Sequence, residues 1–115
     1  MRRGEIRLVY WEPVWGAEAD KLRPAVIVSN DAANLTASRL GRGVLVVVPI
    51  TSNVKRIYPF QVVLPAALTA LSRDSKAQAE QVRAVAFDRI GERVGRVPES
   101  LMLELSAALR LHLDL

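Results

Sequence analysis

Two apolar runs in this chain each carry a polar group at one end. Arg23-Pro24 opens the run Ala25-Val26-Ile27-Val28-Ser29-Asn30, and a second run closes in Pro49-Ile50-Thr51-Ser52-Asn53. The first places a guanidinium at a strand start, and the second places a hydroxyl at a strand end. The chain has no cysteine and one histidine. It therefore lacks a thiolate nucleophile, a zinc cluster and a two-histidine acid–base pair. Any chemistry falls to arginine, threonine and a carboxylate or amide. An arginine fork offers bidentate phosphate contacts that lysine cannot make.

The elements that must position these groups fit in one domain. At 115 residues, half of them apolar, the chain can build one core and is not of disordered composition. The net charge is +4. Residues 1–60 hold nine Lys/Arg and five Asp/Glu, whereas residues 61–115 hold seven of each, so the positive excess lies in the first half. A basic face suits a polyanion, nucleic acid being the commonest, although +4 is also ordinary for a soluble domain. Arginine outnumbers lysine thirteen to three, a bias that a GC-rich genome produces as readily as phosphate binding. The N-terminus Met1-Arg2-Arg3-Gly4-Glu5 has no apolar signal core, and no apolar stretch is long enough for a bilayer, so a cytoplasmic protein without membrane association is expected.

Along the chain, Glu5 to Trp11 alternates as a strand, with Ile6, Leu8 and Tyr10 on one face and Arg7, Val9 and Trp11 on the other. Glu12 to Leu22 contains Pro13, Gly16 and Asp20 and reads as a long loop of the kind that carries function. Pro24 favours an extended Arg23, and Ala25 to Ser29 forms a strand. Asn30-Asp31 caps a short helix from about Ala32. After a Gly41-Arg42-Gly43 turn, Val44 to Ile50 reads as a strand buried on both faces. Tyr58 to Leu64 is a further strand, Leu68 to Asp74 a turn or short helix, and Ser75 to Ala86 one long strand or a kinked pair. A short helix over Asp88 to Glu92 precedes a brief strand near Val94. Pro98 starts the last helix, whose stripe is Leu101, Leu105, Ala108, Leu109 and His112. Five or six strands with one terminal helix predict a mainly β (α+β) fold, a small barrel with helical additions.

In order along the chain, Arg3-Gly4-Glu5-Ile6, Pro13-Val14-Trp15-Gly16-Ala17-Glu18, Leu22-Arg23-Pro24 through Asn30-Asp31, Pro49-Ile50-Thr51-Ser52-Asn53, Asp74-Ser75 with Ala79 to Arg83, and Leu101 to Leu115 resemble the MazF/PemK endoribonuclease toxins of bacterial toxin–antitoxin pairs. The likeness spans nearly the whole chain, as one toxin-like domain over 1–115. It implies an SH3-like β-barrel with short helices and a C-terminal helix, a homodimer, and a MazE-like antitoxin partner. It also implies metal-independent, cofactor-free cleavage of single-stranded RNA at short sequences, inhibiting translation and growth. Arg7, Tyr10-Trp11 and Ala17 depart from the family pattern. They bear on RNA-binding detail and base preference, not on Arg23 or Thr51.

Within that resemblance the catalytic residues are Arg23 and Thr51. RNA is cleaved by its own 2′-hydroxyl once the attack is aligned and the phosphoryl charge stabilised, leaving a 2′,3′-cyclic phosphate and a 5′-hydroxyl. Arg23 suits charge stabilisation better than base catalysis, since its ordinary pKa lies above about 12. Thr51 donates a hydroxyl hydrogen bond to the same phosphate. Trp15, Glu18, Ser52, Asn53 and Gln81 are the RNA-binding candidates. For Glu18 the alternatives are ordering Arg23, contacting a base edge, or a solvated loop acid. For Ser52, Asn53 and Gln81 they are base contacts or turn and strand-edge caps. Trp15 is the aromatic assigned to base stacking. Tyr10 and Trp11 stay open between stacking and core or dimer contacts. Glu80 and Arg83 read as an ordinary pair, and His112 as a packed residue. Two other functions remain: a binding-only toxin on the same barrel, like the gyrase-poisoning relatives, or an SH3-like adaptor for a peptide.

Overall fold

The structure is a computed structural model, and it describes residues 1–11 and 22–115. The predicted loop Glu12 to Leu22, with Trp15 and Glu18, lies outside the described residues except for Leu22, which is the first residue of a strand. Among the described residues, seven antiparallel strands run as β1 (Glu5–Tyr10), β2 (Leu22–Ile27), β3 (Val44–Thr51), β4 (Gln61–Leu64), β5 (Ser75–Gln78), β6 (Arg83–Ala86) and β7 (Ile90–Arg96). Among the described residues there are three α-helices, α1 (Asp31–Leu40) and α2 (Ala66–Thr69) between strands and α3 (Glu99–Leu113) after the last. The ladder runs β4-β5-β3-β2-β1-β7, and β6 pairs with the first half of β3 while β5 pairs with its end. The sheet is barrel-like, and the mainly β class with a C-terminal helix holds.

Alternating side chains divide the core into two. Ile6, Val26, Val48, Ile50, Val62, Leu64 and Ala77 pack beneath Met102, Leu105 and Ala108 of α3. On the other face, Val9, Ala25, Ile27, Leu45, Val47 and Val85 pack with Ala37 of α1. The expectation for β3 needs refinement. Its odd residues Leu45 and Val47 enter one core and its even residues Val48 and Ile50 enter the other, while Val44 is exposed. The strand is thus buried on opposite faces at its two ends.

α1 begins where the sequence places it. The Asn30 side chain accepts the Ala33 N–H at 2.8 Å, and Gly41 closes the helix at φ 65°. The Arg3 backbone N–H donates to Asp31 Oδ1 at 2.7 Å and holds that carboxyl below its ordinary value. The Arg3 side chain also donates to Val28 O and Ser106 Oγ, tying α3 to the end of β2. On β1, Arg7 donates to the buried Glu5 carboxylate at 2.9 Å and to Gly91 O on β7, which accounts for a charged residue at this position.

Other expectations are corrected. Tyr58 to Phe60 is not strand, because the Gln61 N–H bonds back to Tyr58 O as a turn and Gln61 Oε1 accepts the Tyr58 N–H. Ser75 to Ala86 is the kinked pair, broken by a 3₁₀ turn at Ala79–Gln81. β7 starts at Ile90, so the helix expected over Asp88 to Glu92 shrinks to one turn, Phe87–Arg89. Met102, not Leu101, leads the buried stripe of α3, and His112 is exposed, its ring 6.0 Å from that of Phe60. Gly95 is required by packing: a Cβ there would collide with the Thr69 carbonyl oxygen, so β7 and the end of α2 touch backbone to backbone.

Candidate active site

Arg23 sits near the start of β2 and Thr51 at the end of β3, as their places beside the two apolar runs predict. The β2–β3 register pairs Ala25 with Pro49, and continued by two residues it sets Arg23 opposite Thr51. Adjacent strands lie only about 4.8 Å apart, so two side chains opposite one another on one face converge on a single small group. Pro24 lies one residue before the β2–β3 pairing begins, where a missing N–H costs little.

Two hollows meet at this pair. One, of about 430 Å³, is lined by Trp11, Arg23, Pro49, Ile50, Thr51, Gln78, Gln81 and Arg83. The other, of about 360 Å³, is lined by Arg23, Pro24, Ile50, Thr51, Ser52, Leu71, Ser72, Arg73 and Ser75. Arg23, Ile50 and Thr51 are common to both and form the ridge between them. Among the described residues, the lining includes Arg23, Arg73 and Arg83 and no carboxylate. That combination favours an anion. Arg73 and Arg83 belong to the charge-balanced second half of the chain. The basic surface is therefore assembled by the fold and is not confined to the first sixty residues.

Arg23 is exposed, and Thr51 Oγ1 accepts the Asn53 N–H at 3.2 Å. With that lone pair occupied, the Thr51 O–H remains a donor for an incoming oxygen. Asn53 Oδ1 accepts the Lys55 N–H at 3.3 Å, the turn-capping arrangement, and Asn53 lines neither hollow. The segment after Thr51 is irregular but anchored. Lys76, 8 % exposed, donates to Arg56 O at 2.7 Å, and the Tyr58 and Phe60 rings stack at 5.4 Å. Ser52 lines the second hollow and Gln81 the first.

Glu80 and Arg83 do not pair. Glu80 Oε2 accepts from Gln61 Nε2 at 2.8 Å, while the Arg83 guanidinium lies over the Trp11 ring, 5.3 Å from its centroid. Trp11, left open between stacking and packing, lines the first hollow, and Gln78, Arg83, Ser72 and Arg73 join the site without having been singled out for it. Their assembly depends on β6 pairing with β3 and on the turn between β5 and β6, neither of which has a local sequence signal. Among the described residues no three His, Asp or Glu side chains gather as a metal-ligating group, and no helix is long and apolar enough to cross a membrane.

The model of a family described as PemK-like, MazF-like toxins of type II toxin–antitoxin systems matches residues 2–113. The chain is 56 % identical over 115 residues to endoribonuclease MazF9 of Mycobacterium tuberculosis, covering all of this chain and 98 % of that one. It is 38 % identical over 111 residues to endoribonuclease MazF6 of the same organism, covering 93 % and 94 %. Among solved structures it is similar to the MazE–MazF crystal structure from Deinococcus radiodurans, with a TM-score of 0.77 and 26 % identity over 100 % of this chain and 97 % of that one.

Proposed function

Because the chain belongs to the family of PemK-like, MazF-like toxins of type II toxin–antitoxin systems and is an endoribonuclease, we propose that it cuts single-stranded RNA at the Arg23–Thr51 ridge by 2′-hydroxyl attack. The observation that carries this reading is the sharing of Arg23 and Thr51 by two hollows free of described carboxylates. A strand of RNA crossing from one hollow to the other passes its phosphate over both side chains. Arg23 offers a fixed fork of donors to the non-bridging oxygens, where negative charge grows as the pentacovalent phosphorane forms. The Thr51 hydroxyl donates to the same group. Holding the 2′-oxygen in line with the scissile P–O bond supplies the rest of the acceleration. The new bond joins the 2′-oxygen to phosphorus and the 5′-oxygen departs with a proton, giving 2′,3′-cyclic phosphate and 5′-hydroxyl ends.

In this reading charge neutralisation comes from arginine, so cleavage needs no metal or cofactor. The cut RNA is mRNA, tRNA or rRNA, its loss stops translation and growth, and the protein works in the cytoplasm as a single-domain homodimer. A MazE-like antitoxin with an acidic segment lies over the basic hollows and competes with RNA. Ser52 and Gln81 contact the RNA from opposite sides of the ridge, and the family resemblance adds Trp15 and Glu18 as RNA contacts.

The test is incubation of the purified protein with a long natural RNA in EDTA, with the cuts mapped by primer extension and the ends identified chemically. Wild-type protein should cut at short defined sequences and leave cyclic phosphates. Arg23→Ala should leave the RNA intact. Activity that vanishes in EDTA and returns only with Mg²⁺ or Mn²⁺ would overturn the mechanism.

A further inference from the structure

The two hollows beside the ridge differ in chemistry. In the larger, the Arg83 guanidinium lies over the Trp11 indole, and Gln78 and Gln81 are also among the lining residues. Flat aromatic and guanidinium surfaces are what unpaired bases stack on, and an amide offers both a donor and an acceptor to a base edge. The smaller hollow has no aromatic residue among those described; Ser52, Ser72 and Arg73 give it hydroxyls and one cation. Hydroxyls and a single cation without a stacking surface suit contacts to sugar and phosphate, which carry no sequence information.

We propose that the enzyme reads sequence asymmetrically about the cut: the Trp11–Arg83 hollow selects the base on one side of the scissile phosphate, and the Arg73 hollow holds the backbone on the other side without selecting a base. Trp11 and Arg83 are then specificity-determining residues. The proposal rests on the phosphate lying at Arg23 and Thr51, since only that placement assigns one flanking nucleotide to each hollow. Trp11 is fixed for this task from behind, packing with Val9 and its neighbours in the second core, and Arg83 is fixed by β6, where it pairs with Val47. A platform built on strands loses little freedom when a base arrives.

The experiment uses the full chain and a single-stranded RNA pool with random bases around a central position, every cut being read by sequencing. Arg83→Ala and Gln81→Ala change exposed side chains and should fold. Each should flatten the base preference at one and the same position beside the cut, by roughly tenfold, the scale of one base–aromatic stack or amide contact. Trp11→Ala should do the same, and Trp11→Phe, which keeps a ring on the core, should retain most of the preference. Arg73→Ala should slow cleavage of all sequences alike and lower the salt slope of binding by about one phosphate contact. The assignment is overturned if Arg83→Ala and Gln81→Ala slow every sequence equally, if they alter positions on both sides of the cut, or if Arg73→Ala changes base preference. Failure here is separable from failure of the catalytic reading. An inactive Arg23→Ala with an unaltered preference in Arg83→Ala sinks only the asymmetric reading, whereas cleavage by Arg23→Ala sinks the placement of the phosphate itself.

Discussion

Arg23 and Thr51 should fail in different ways. Arg23→Lys keeps a positive charge but loses the fork, so it should remain far below the wild-type rate while its melting temperature hardly moves, because the side chain is exposed. Thr51→Ala removes one donor to the developing charge and should lower kcat by about a hundredfold, measured on a defined oligonucleotide. A rate within threefold of wild type would remove Thr51 from the chemistry. Glu5 gives a prediction about acid. Burial pushes its carboxyl up, but the hydrogen bonds from Arg7 and the Arg2 backbone outweigh this and leave it lowered. A depressed carboxyl stabilises the fold above the unfolded value of about 4.3, and that stabilisation is lost as pH falls through the lower folded value. Glu5→Gln should therefore be less stable than wild type at pH 7, and the gap should close on acidification in denaturant titrations. At this scale the sequence made Arg23 and Thr51 candidates, because each opens or closes an apolar run and both runs resemble strands of the family. It could not reveal Trp11 with Arg83, which lie seventy-two positions apart and meet only through strand pairing.

Among the elements, β7 and α2 are joined where tolerance is least. Gly95→Ala would drive a methyl group into the Thr69 carbonyl, a backbone atom that cannot swing away. Overpacking of this kind costs about 1–3 kcal/mol. The variant should melt several degrees lower and also lose activity, since Leu71, Ser72 and Arg73 follow α2 directly and line the smaller hollow. Unchanged melting would mean that α2 shifts freely. The elements with strong local signals were legible: α1 with its asparagine cap, the glycine turn after it, the apolar β3, and the final helix. Those decided by long-range pairing were not. Tyr58 to Phe60 has strand-like residues but closes a turn through Gln61, and the split of β5 from β6 rests on a 3₁₀ turn around buried Ala79.

For the whole molecule, the expected dimer must be argued from other surfaces than those first suggested by the sequence. Both faces of β3 and the Met102–Leu105–Ala108 stripe are covered within one chain. Among the described residues, the exposed large apolar side chains include Leu103 and Leu111 on α3, Leu35 and Leu40 on α1, and Val44 at the very start of β3. Light scattering at micromolar concentration should give about twice the chain mass of 12.7 kDa; a mass near 12.7 kDa would reject the dimer. An acidic antitoxin segment should inhibit competitively with RNA, and its association rate should fall as salt screens the basic hollows. Inhibition that leaves RNA affinity untouched would place it on another surface. The division of β3 between two cores has a consequence for how safely such a protein can be made. A slip of one residue along β3 would turn Leu45 and Val47 away from one core and Val48 and Ile50 away from the other at the same time. The same slip would move Thr51 off Arg23. On the proposed site, a wrongly paired chain would lack the Arg23–Thr51 ridge, so cleavage would arise only once the register of β3 is correct.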